Sequence, residues 1–157
     1  MSDTVALVTA PSDLIEKMDA YAQLGRVVDV SLKEEREVKK KFSDNQLQLK
    51  SALETVRQNF KEALPPSKHL FKDHTHLQVG LEAATLWVGL YSTVLEHVTD
   101  FVRKTHKRQA FTPDEIARWY RLADDLEKGL ESMIAFSGDI AIFQHRRENS
   151  AAASTPK

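Results

Sequence analysis

His69, Asp73 and His76 are spaced by four and three residues, so a single helix would present two imidazoles and a carboxylate on one face. Those groups suit zinc or iron. Ferritin-like centres, however, draw carboxylates from several helices and a Glu-x-x-His from two of them, and the chain contains no Glu-x-x-His. His97 stands 21 residues beyond His76, roughly 30 Å along a helix axis, too far to complete the set. The plainer account of the three residues is the solvated first turns of a helix.

A phosphotransfer role for His69, His74 or His76 would call for an exposed imidazole followed by a basic and then a small residue. The residues that follow here are Gln78, Val79 and Gly80. Arg103, Lys104, His106, Lys107 and Arg108 form a basic cluster, and Lys39, Lys40 and Lys41 form another. The first is a candidate surface for nucleic acid or an anionic membrane. Cations also stabilise the C-terminal end of a helix against its dipole, which explains the cluster without any ligand. Ser137, Gly138 and Asp139 have neither the preceding strand nor the flanking glycine of a nucleophile elbow. No catalytic constellation emerges, and the reading leans away from an enzyme. No cofactor is expected.

Composition narrows the classes further. The 157 residues fit one domain. With 41% hydrophobic and 29% charged residues, the chain has enough apolar material for a core and enough charge to solvate it. The 22 basic and 23 acidic residues nearly cancel, which ranks nucleic-acid and membrane partners behind another protein. The absence of cysteine removes disulfides, thiolate metal sites and a thiol nucleophile. The first residues lack the charged start of a signal peptide, and no apolar run reaches the roughly 18 residues of a membrane span. A cytoplasmic location is expected. None of the glycines builds a phosphate loop, and no alternating β-branched runs between turn signals predict strands.

The elements that would carry these residues are therefore helices. Residues 1–10 read as a flexible arm, 11–147 as a single helical-bundle domain and 148–157 as a disordered tail. A short helix is expected from Pro11 to about Gly25, with Leu14, Met18, Tyr21 and Leu24 on its apolar face. The first long helix is expected to begin between Gly25 and Ser31, where Ser31 and Glu34 have capping-box spacing, and to end at Leu64 before Pro65 and Pro66. The second is expected from about Ser67 to His106. The third opens at Thr112-Pro113, where Thr112 caps, Pro113 takes the first helical position and Glu115 closes the box. The expected fold is all-α: an elongated antiparallel bundle of three long helices plus a short N-terminal helix.

The middle helix carries two apolar seams. One runs through Leu77, Leu81, Ala84, Val88, Tyr91, Leu95, Val98 and Val102, the other through Ala83, Trp87, Leu90, Val94, His97 and Phe101. A helix with two seams needs cover on two sides. It is either central in the bundle or faces another chain. The leading expectation is a non-enzymatic interaction module that forms a homodimer through the second seam, with a two-fold near Trp87. The alternatives are a metal-binding or phosphotransfer bundle using His69, Asp73 and His76, and a nucleic-acid or membrane-surface binder using Arg103, Lys104, Lys107 and Arg108.

Overall fold

The computed structural model describes residues 6–71 and 77–154, with side-chain surroundings described for residues 6–71 and 79–139. Four helices, α1 (Ser12–Lys41), α2 (Gln46–Ala63), α3 (Leu77–His106) and α4 (Pro113–Ser154), pack against one another. Among the described residues the sole extended pairing is an isolated antiparallel bridge between Val8 and Phe111. The chain is all-helical.

The division of the first half differs from the expected one. The short N-terminal helix and the start of the first long helix are a single element, α1, which runs unbroken through Gly25. Gly25 is buried, and a Cβ built on it would touch Leu95 Cδ1 at 3.4 Å. Gly25 therefore faces α3 and does not end the helix. Ser31 is buried inside α1 rather than capping anything. The break falls instead at residues 42–45. There Asn45 takes an extended conformation and its side chain accepts a hydrogen bond from the Gln48 N–H at 3.1 Å, satisfying one of the free donors at the start of α2.

The break after α2 is where the prolines predict it. Leu64 is extended ahead of Pro65, as crowding by the proline ring requires. Residues 64–71 are non-helical and α3 is described from Leu77, so the helix start expected at about Ser67 is not used. At the start of α4 the expected capping box is present in full. The Glu115 N–H donates to Thr112 Oγ1 at 3.2 Å, and the Thr112 N–H donates to Glu115 Oε1 at 3.3 Å. Helix α4 continues to Ser154, beyond Phe143, where the apolar pattern predicts that it fades. The arm before α1 is tied down at Val8, which exchanges two backbone hydrogen bonds of 2.7 and 2.8 Å with Phe111.

Helix α3 is the centre of the packing, touching α1, α2 and α4. Leu14, Met18, Tyr21, Leu24 and Val28 of α1 meet Leu81, Ala84, Trp87, Leu95, Val98 and Phe101 of α3 in one core, closed by Ala123, Leu126 and Leu130 of α4. Aromatic pairs join the elements. Tyr21 lies 5.6 Å from Trp87 and Phe101 lies 4.6 Å from Trp119, ring centre to ring centre. Burial of such large apolar side chains is the main force holding the bundle, at roughly 1.5–3 kcal/mol for each one fully buried.

Candidate interaction surface

His69, Asp73 and His76 do not share a described helix face. His69 is half-buried in the non-helical stretch before α3, where its backbone N–H donates to Ser67 Oγ at 3.1 Å. Its Nε2 is buried without a hydrogen-bond partner, and burial, with Lys17 nearby, holds its pKa below the usual histidine value. Asp73, His74 and His76 lie outside the described residues. Among the described residues, no three histidines, aspartates or glutamates are grouped closely enough to hold a metal ion.

The second seam of α3 splits into an inner and an outer part. Ala83, Trp87 and Phe101 are fully buried within the chain. Trp87 Nε1 donates to the Leu126 carbonyl of α4 at 2.9 Å, and its ring packs on Tyr21 of α1. The N-terminal helix and α4 thus cover the residue about which a two-fold was expected. Val94 is half-buried, whereas Leu90 and His97 are exposed. Leu90 is 67% exposed, and Leu86, one turn before it and in neither seam, is 45% exposed. Between them Gly89 has open space where a Cβ would be. With Thr93 and His97, also exposed, these residues lie along the outer side of α3 on both sides of a kink at Tyr91, whose backbone (φ −110°, ψ 18°) is non-helical.

The cations Arg103, Lys104, Lys107 and Arg108 are all exposed at the end of α3. Lys104 pairs with Asp100 one turn earlier at 3.2 Å. Elsewhere the titratable groups have structural surroundings. Tyr120 donates its hydroxyl proton to Asp13 at 2.7 Å, which holds the Asp13 carboxyl below its usual range. The Tyr21 hydroxyl is buried without a hydrogen-bond partner. Burial first, then the charges of Glu127, Glu131 and Asp124, push its pKa up.

Comparison with protein-family models, curated proteins and solved structures finds no significant match. Chemistry must therefore be read from the surface itself. Two open grooves lie along α1, one of about 360 Å³ against α2 between Glu37, Val38, Phe42 and Val56, the other of about 270 Å³ beside Val27, Val30 and Ala63. Both are open to solvent. Leu86 and Gly89 are the surface residues that sequence reasoning missed. Leu86 is four residues from Leu90, but the heptad count credits it to no seam. Only the packing of α1 and α4 reveals which side of α3 stays open. Among the described residues, no helix is long and apolar enough to cross a membrane.

Proposed function

We propose that this chain is a non-enzymatic helical-bundle interaction module, an adaptor, scaffold or regulatory binding protein, that self-associates through the outer strip of α3. The observation that carries the reading is the pair Leu86 and Leu90, exposed one turn apart beside a glycine with nothing over it. Apolar side chains clustered on one helix face lose water-exposed area when a partner helix covers them. In this reading neighbouring helices of the elongated bundle run antiparallel across their short connections.

The strip can meet a copy of itself. With α3 of two chains crossing antiparallel about an axis between Gly89 and Leu90, residues whose numbers sum to about 179 face each other. Leu90 of each copy then enters the gap over the other's Gly89, and Leu86 meets Thr93. This register replaces one centred on Trp87, whose ring is enclosed within its own chain. Light scattering on the full chain is the test. A mass of twice 17.8 kDa, falling to a single chain in Leu86→Asp/Leu90→Asp with helix content unchanged, is the expected result. A monomer at every concentration, or a dimer indifferent to that substitution, overturns the proposal.

A further inference from the structure

We propose that the end of the bundle built from the last turn of α3 and the anchored N-terminal arm docks on anionic lipid headgroups. The surface is independent of the α3 strip and combines two chemistries. Arg103, Lys107 and Arg108 are exposed and have no ion pair among the described residues, while Lys104 shares its charge with Asp100. Beside them the arm is fixed in place. Val8 is bonded through both backbone groups to Phe111, three residues past Arg108, and Phe111 is itself buried with its ring 5.3 Å from that of Phe101. On this held arm Leu7 is 62% and Val8 38% exposed.

A nucleic-acid backbone would use the cations but gain nothing from Leu7 and Val8. A bilayer interface uses both, since cations near an anionic leaflet are attracted to it and apolar side chains enter the acyl boundary. The nearby acids do not cancel the cluster. Asp100 is paired with Lys104, and Glu115 is occupied by the Thr112 capping box. Asp114 opens α4, where the helix dipole favours it.

The backbone supplies a separate observation. Arg108 has φ of 57°, the left-handed conformation that glycine normally supplies at the end of a helix. The Gln109 N–H donates to the Lys104 carbonyl and the Arg108 N–H to the Thr105 carbonyl, which is the bonding of a helix stop of that kind. An arginine there strains the backbone where a glycine would not, yet the position presents a cation to solvent.

The experiment is co-sedimentation of the full chain with vesicles of phosphatidylcholine alone and of phosphatidylcholine with phosphatidylserine. Binding is expected only to the anionic vesicles and is lost in high salt as the charges are screened. Lys107→Glu/Arg108→Glu is expected to weaken it by roughly tenfold or more, and Leu7→Asp to weaken it several-fold with the melting temperature unchanged. Arg108→Gly separates the two roles of that residue: it raises the melting temperature and weakens vesicle binding. Equal binding to both vesicle types, no binding to either, or full binding by these variants overturns the proposal. So does binding to a DNA or RNA oligonucleotide with none to vesicles, which would assign the cations to nucleic acid.

Discussion

At the scale of single residues, two glycines inside α4 have opposite meanings. A Cβ on Gly129 would lie 2.6 Å from the Tyr91 hydroxyl oxygen and 2.9 Å from two of its ring carbons. The Tyr91 ring is half-buried and packs 5.8 Å from Trp87, so it has little room to retreat. Gly129→Ala is expected to destabilise the fold by about 1–3 kcal/mol. Gly138 meets nothing within 4 Å, and Gly138→Ala should stabilise it by up to ~1 kcal/mol through helix propensity alone. Urea titration of both variants checks the opposite signs. Tyr21 offers a second case. Its buried hydroxyl has no partner, so Tyr21→Phe should be neutral or stabilising by about 1 kcal/mol near neutral pH. Folding raises the pKa of this phenol, so its contribution is intact below about pH 10, the value of a free tyrosine, and is lost as pH rises beyond it. Tyr21→Phe should therefore flatten the alkaline loss of stability. An unchanged alkaline slope would contradict the burial argument.

At the scale of elements, the legibility of the sequence depended on how many local signals agreed. Thr112, Pro113 and Glu115 each point to the same helix start, and the start is there. The prolines after Leu64 likewise end α2 where they must. Ser31 and Glu34 have capping-box spacing too, but no break in the apolar pattern accompanies them, and Leu24 and Val28 on either side of Gly25 face one core. Tertiary packing overrides both the glycine and the box. The true break, at Phe42 to Asn45, had its own cue in Ser43, Asp44 and Asn45, three residues whose side chains compete for backbone donors. Nothing local ranked it above the decoy. Removing the actual cap by Asn45→Ala should cost about 1 kcal/mol. Ser31→Ala should show no loss of a cap, and thermal melts of the pair test the assignment. A comparable loss in Ser31→Ala would mean that the helix start is used after all.

At the scale of the whole molecule, the seam pattern identified α3 as the helix needing cover on two sides. It did not say which residues the chain itself covers. That depends on where α1 and α4 lie around α3, information that no spacing within α3 contains. The consequence is a change in what Trp87 should do. Trp87→Asp would place a charge in a core closed by Tyr21 and the Leu126 carbonyl, and should unfold the chain rather than dissociate a dimer. A folded monomer carrying that substitution would contradict the packing described.

The central claim, that the open strip of α3 meets a second copy near Gly89, has a direct test because the chain has no cysteine of its own. A cysteine replacing Gly89 would be the sole thiol, close to the proposed two-fold and to its counterpart across it. Under mild oxidation or with a short thiol crosslinker, the Gly89→Cys chain should form a covalent dimer rapidly. A Ser132→Cys control on the exposed side of α4 should remain a single chain. Equal crosslinking at the two positions, or none at residue 89, would contradict the account.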